Sequence, residues 1–517
     1  MTSASTDELE EEERDLEALR ARGPSTRHRR AVAAALGVIA LAGALAFGWR
    51  RAQKPYDPLD STEGQLLGLT LPKALVSEGR ERQVLIAELG TPRAETALGA
   101  EASAAVRELL RAADVVEAAR GDKTAEVDGF VRAATALDEA LRKKKIPIFV
   151  DGDVLVTQER HRPLLMSYYI EREVTFEVES ARVPAIHLWR LDRLRLKLPF
   201  LGFTRPRTPY ALVVLDAVET DLVTIIGPSL KGGEPFELVD DRGAADQEPW
   251  MKPIEKRAGE LLRLELQTEA KRPEFLRLAD LLAERRALVR KWVALLPGLG
   301  LVLRVPGRYL PEANYEQDLA HRVPRRELDE WERIHGELRS RAMLDAFLGL
   351  RRRFTGSVER HEVQHRIDYT AGLVPVPPVL ADLLGVKNPL GAVFGSLPAR
   401  ARDELSAHLA QMADGGTPLL DILLLSRSLF RERFDAYSYA AWATLLGVGR
   451  ELGKDVDAQI GTATVRSEQF GRALSLIVES PPHEIAAAAR RFRQRSFGDE
   501  LPRVRVASVV EGRAWRH

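Results

Sequence analysis

The residues best suited to chemistry lie in Arg360-His361-Glu362-Val363-Gln364-His365-Arg366, and within it in the pentad HEVQH. On a helix, positions i and i+4 share a face, so His361 and His365 can point two imidazoles at one ion. Zinc accepts imidazole nitrogen readily and is satisfied by few ligands in a tetrahedral set. Glu362 follows the first histidine, which puts its carboxylate beside such an ion and not on it. There it is placed to take a proton from a water that the ion acidifies.

Two histidines leave zinc short of a third protein ligand, and two downstream carboxylates compete for the place. Glu404 lies in Asp403-Glu404-Leu405-Ser406-Ala407-His408, and Glu432 in Arg431-Glu432-Arg433-Phe434-Asp435. Both segments read as helical. Glu432 is flanked by two arginines, awkward beside a cation, although Asp435 three residues on is a reasonable outer-shell acid. His408 lies one turn after Glu404 on the same face, where it can hydrogen-bond a ligand.

HEVQH followed by Glu404-x-x-Ala407 resembles the gluzincins, the zinc peptidases whose two HExxH histidines are joined by a Glu from a later helix. The resemblance covers the pentad and this short stretch alone, and His408 stands where that group more often has an Asp. It implies a Zn2+ cofactor held by His361, His365 and Glu404, with Glu362 as general base and water in the fourth position. The activity implied is amide hydrolysis of a peptide or protein substrate, with no covalent intermediate. Tyr437, Tyr439, His408 and His483 are available as proton donor or oxyanion stabiliser, and the sequence does not rank them. Two rivals stand beside this reading. One is a non-enzymatic membrane-anchored envelope or scaffold protein with a structural metal, or none, at HEVQH. The other is a zinc hydrolase acting on something other than peptides.

The elements that must position these residues read as an α+β chain. Apolar spacing predicts helices over 101–120 and 127–145. The period changes at Ile146. Ile148–Val150, Asp151-Gly152-Asp153 and Val154–Val156 read as a hairpin with an Asp-Gly turn. Clean alternation marks strands at 173–179 and 193–198, and shorter apolar runs mark strands at 210–215 and 222–226. The region 146–249 is therefore expected to be a mainly antiparallel sheet, following a helical region at 50–145. From 250 to 517 the chain is expected to be mostly helical, forming the zincin-like metallopeptidase region. Helices are predicted at about 250–271 and 274–295, broken at Pro273. A strand at Leu299–Val305 is a candidate edge for receiving an extended peptide. An amphipathic stretch, 328–353, is expected to stop at Thr355-Gly356-Ser357, with Ser357 capping the helix that bears HEVQH.

Residues 1–30 form a polar tail, acidic and then basic. Residues 31–49 are free of charge and, as a helix, would span roughly 28 Å, close to a bilayer's hydrocarbon core. Arg29, Arg30, Arg50 and Arg51 flank the run. A cleaved signal peptide, with Ala44-Leu45-Ala46 as its site, and a buried helix are the competing readings. The long acidic segment before the run favours a retained transmembrane anchor. The arginines on the N-terminal side favour a cytoplasmic tail, with residues 50–517 on the far side of the membrane. Lys plus Arg and Asp plus Glu balance at 76 each, so no nucleic-acid partner is expected. The chain has no cysteine, which excludes disulfides, thiolate metal sites and thiol nucleophiles.

Overall fold

Apolar residues at helical spacing build α1 (Ala100–Ala118), which buries Val106, Leu109, Leu110, Ala113 and Val116. They build α2 (Thr124–Lys143) in the same way, around Phe130, Ala134, Leu137 and Leu141. The two helices pack on each other, and α2 also covers the first strand of a sheet. The computed structural model describes residues 57–512, except 121–122, 157–160, 180, 193, 195–200, 206–207, 240–248, 267–271, 296–306, 311–321, 373–374, 387–394, 432–433 and 461–466. The expected tail (1–30), anchor (31–49) and strand at Leu299–Val305 lie outside the described residues, as does the expected strand at 193–198 apart from Leu194. Among the described residues no helix is long and apolar enough to cross a membrane.

The sheet has six strands: β1 (Ile148–Val156), β2 (His161–Val178), β3 (Ala181–Arg190), β4 (Gly202–Thr204), β5 (Ala211–Val214) and β6 (Val504–Glu511). Their order is β1-β2-β3-β5-β4, with β6 also paired to β2. All pairs are antiparallel except β3 with β5. The long β2 makes this possible, pairing its first half with β1 and its second half with β6. The predicted alternation holds there: Val174, Phe176 and Val178 are buried while Glu177 is exposed. This agrees with the expected α+β class of N-terminal helices, a sheet, and a mostly helical C-terminal region.

Three local expectations fail, each for a packing reason. Asp151-Gly152-Asp153 is not a turn; it lies inside β1, paired with Leu164, Leu165 and Met166. A Cβ on Gly152 would stand 2.6 Å from the Ala134 methyl, so the glycine serves the close approach of α2. Leu222–Ile226 is helical, continuing from a helix at Leu215–Asp221. A short buried apolar run fits either period, and here the flanking helix decides. The helix bearing HEVQH does not begin at Ser357. It is α3 (Arg341–Ala371), capped by the Ser340 side chain on the Met343 amide, and it runs through Thr355-Gly356-Ser357 without a break. The strand β6 was not anticipated within a region read as mostly helical.

α3 lies between the sheet and a layer of helices: α4 (Leu397–Asp414), α5 (Pro418–Ser426), α6 (Ala436–Glu451) and α7 (Pro482–Phe497). On one side it meets β3, β4 and β5, and on the other α4. Val363 joins Val174, Phe176, Val183, Ala185 and Ala211 in the core beneath the sheet. With both faces covered, Ser357 to His365 are all buried. A buried polar run of this kind persists only if each group finds a partner. Glu359 Oε1 lies 2.6 Å from the His187 ring, Arg360 donates to Gln364 at 3.0 Å, and Gln364 donates to Asp368 at 2.7 Å.

Candidate metal centre

His361 and His365 are one turn apart on the buried middle of α3, with their Nε2 atoms 3.1 Å from each other. α4 crosses α3 and brings Glu404 to the pair. Its Oε2 lies 3.5 Å from His361 Nε2 and 3.9 Å from His365 Nε2. One ligand atom from each of the three residues falls within 4.8 Å of the others, a group that can hold a metal ion. Two donors bound at ~2.1 Å to one tetrahedral ion stand roughly 3.4 Å apart, so the spacing fits. Glu404 Oε2 is buried without a hydrogen-bond partner. A cation beside it is one way to satisfy such an atom. The site thus brings together the three residues expected from the sequence, whereas Glu432 lies outside the described residues.

Burial holds His361 down to about 4, against a raising contribution from its hydrogen bond to Gln411. It holds His365 down to about 4 as well, against the attraction of the Glu404 charge. Both rings are therefore neutral near pH 7, the state in which imidazole binds a metal. The tautomer of His361 is set from behind. Its Nδ1 lies 3.1 Å from Gln411 Oε1. The amide nitrogen of Gln411 in turn donates to Ser357 Oγ at 2.9 Å and to Asp421 Oδ1 at 3.1 Å. With its nitrogen so committed, Gln411 offers only its oxygen to His361. Nδ1 carries the proton and Nε2 keeps its lone pair toward Glu404. An outer carboxylate–amide–histidine chain of this sort fixes ligand orientation.

Glu362 points from α3 toward the sheet edge. Thr204 Oγ1 donates to its Oε2 at 2.9 Å and also reaches its backbone carbonyl at 3.1 Å. Burial, aided by the Glu404 charge, pushes the Glu362 carboxyl well above the usual range, and the Thr204 hydroxyl opposes that rise. A Cβ on Gly202 would come within 2.6 Å of both Glu362 Cγ and Oε1. Only glycine lets β4 lie this close to the carboxylate. β4 is the last strand of its sheet path, so among the described residues its outer edge has no partner strand.

These groups line one cleft of about 320 Å³, with Gly202–Arg205, His361, Glu362, His365, Tyr369, Glu404 and Tyr437 in its walls. Tyr437 sits in the first turn of α6, which Asp435 caps through the Ser438 amide at 3.0 Å. The Glu404 charge, with burial, raises the Tyr437 hydroxyl, and the two side chains are hydrogen-bonded. A Tyr in this state stays protonated and can donate. Of the four unranked donors, Tyr437 and His408 reach the site. Tyr439 instead stacks near Trp442 and meets Phe434 edge-on, and His483 is exposed at the start of α7.

Thr204, Gly202, Gln411, Ser357 and Asp421 were missed in the sequence. One signal was available: Glu404, His408 and Gln411 are spaced i, i+4, i+7, which puts three polar side chains on one face of a helix. No signal marked β4, three residues long. No protein-family model, curated protein or solved structure matches the chain.

Proposed function

We propose that the chain is a zinc-dependent peptidase. The observation that carries the reading is the convergence of Glu404 on both histidines of HEVQH, with Glu362 beside them and turned into the same cleft. A zinc ion held by His361, His365 and Glu404 would supply Lewis acidity toward water and toward a substrate carbonyl. Glu362 takes the proton of the attacking water and delivers it to the leaving amine. Its raised proton affinity suits a base that must later act as an acid. Thr204 and Gly202 hold that carboxylate in place. Tyr437 donates to the oxyanion that develops on the carbonyl oxygen.

The outer edge of β4, without a partner strand among the described residues, favours peptides over other amide or ester substrates. An extended chain can add to that edge by main-chain hydrogen bonds, which passes its scissile bond along the cleft wall. This is the role first expected of Leu299–Val305. We also hold residues 31–49 to be a retained anchor, on the strength of their uncharged length and flanking arginines. The peptidase domain then works at a membrane surface, on the side opposite the N-terminal tail.

Full-length protein and its Glu362→Gln variant, each loaded with zinc, should be assayed on a mixed-sequence peptide library. The substitution keeps size and removes the base, so cleavage should fall by at least ~10²-fold. Equal cleavage by both proteins would refute the assigned role, and no cleavage of any peptide by the wild type would refute the activity.

A further inference from the structure

His408 stands one turn beyond Glu404 on α4, with its side chain largely buried. Its Nδ1 lies 3.2 Å from Gln411 Oε1, the same oxygen that accepts from His361 Nδ1. Gln411 has committed its nitrogen to Ser357 and Asp421, so this oxygen can only accept. His408 must therefore carry a proton on Nδ1, as His361 does. Its Nε2 is buried with no hydrogen-bond partner and lies 3.8 Å from Glu404 Oε2, itself without one. The rings of His361 and His408 are 4.4 Å apart, edge to face.

Two acceptors facing each other across such a gap in a buried site repel unless a cation or a proton lies between them. The separation resembles the 3.5 and 3.9 Å that His361 and His365 keep from the same oxygen, although His408 lies outside the group whose ligand atoms are all within 4.8 Å of one another, so joining the ion takes a shift of its ring. Thus three imidazoles from two helices surround one carboxylate oxygen, and one amide oxygen sets the tautomer of two of them. We infer that His408 is a third imidazole ligand, so that the ion is held by His361, His365, His408 and Glu404. The inference rests on the zinc-site reading and extends it. A four-ligand centre retains metal more tightly than a three-ligand one. Zinc accommodates a fifth ligand during turnover, so the added imidazole is compatible with hydrolysis.

X-ray absorption at the zinc edge of the full-length wild-type protein, loaded with one equivalent of zinc, counts the imidazoles directly. Three are expected, falling to two in His408→Ala. Competition with a chelator should show that His408→Ala weakens zinc by more than ~10²-fold, beyond the loss that an outer-shell partner usually brings. Added imidazole should restore part of that affinity. A wild-type spectrum with two imidazoles overturns the inference and leaves the three-ligand site standing; His408 is then an imidazolium paired with Glu404 or an outer-shell group. A wild-type protein that takes up no zinc overturns both.

Discussion

Gly202→Ala tests the claim that β4 positions the carboxylate of Glu362. The added methyl would lie 2.6 Å from Glu362 Cγ and Oε1 and 2.7 Å from the Leu212 carbonyl oxygen. Ordinary contacts begin near ~3.4 Å, so something must move by roughly 0.7–0.8 Å. The Leu212 carbonyl belongs to β5, buried in the sheet core, and cannot yield easily. The half-buried β4 and the Glu362 side chain are the softer parts. Overpacking of this size costs about 1–3 kcal/mol of stability. Displacing a catalytic group by about 1 Å costs on the order of 10²-fold in turnover. His361, His365 and Glu404 lie on α3 and α4, away from the added methyl, so zinc bound there should not change. The assay is peptide turnover beside zinc content and thermal melting. Gly349→Ala is the control: it lies in α3, its added methyl would meet nothing within 4 Å, and it should stabilise by about 1 kcal/mol. Full turnover and an unchanged melt in Gly202→Ala would refute the placement of β4 against Glu362.

Three further outcomes are expected. Tyr437→Phe removes the donor while sparing the ligands, so turnover should drop by about 10²–10³-fold with zinc retained; unchanged turnover would exclude Tyr437 from the oxyanion. Burial, with Arg285 nearby, holds His335 down to about 3 from its ordinary 6.5, against its hydrogen bond to the Trp331 carbonyl. The folded state keeps this ring neutral while the unfolded chain takes up a proton below pH 6.5. The associated stability is complete above that pH and is lost as pH falls toward 3, by about 2 kcal/mol at pH 5. Urea titrations at pH 7 and pH 5 should show a correspondingly smaller loss in His335→Gln, and equal losses would contradict this. Finally, carbonate-washed membranes should retain the full-length chain, and deletion of residues 1–50 should release it; intact chain in the soluble fraction, or a mature N-terminus near Phe47, would exclude an anchor.

The grouping of His361, His365 and Glu404 was legible because its signals are local. The i, i+4 spacing of His361 and His365 fixes their shared face once α3 forms, and Glu404 with its small neighbours marks a helix that can approach closely. What surrounds the centre was not legible, because it comes from contacts between segments far apart in the chain. Gly202 and Thr204 sit about 160 residues before Glu362, and nothing in Gly202-Phe203-Thr204 announces an edge strand. Ser357 has the chemistry of a helix cap, yet its hydroxyl donates to Asp421 at 2.6 Å and α3 passes through it. Asp151-Gly152-Asp153 has the composition of a turn, but Gly152 answers to Ala134 and Asp151 pairs with Arg205 at 2.7 Å. In each case a tertiary partner overrode a sound local preference.

Bound zinc in the purified full-length protein tests the central claim most directly. The measurement is elemental analysis of the wild type, His361→Ala, Glu404→Ala and Glu362→Gln after dialysis against a weak chelator. The wild type and Glu362→Gln should each keep one equivalent, because Glu362 stands beside the ion. His361→Ala and Glu404→Ala should lose it, because each removes a ligand. A wild type without zinc, or a Glu404→Ala variant that holds zinc as firmly as the wild type, would contradict the account.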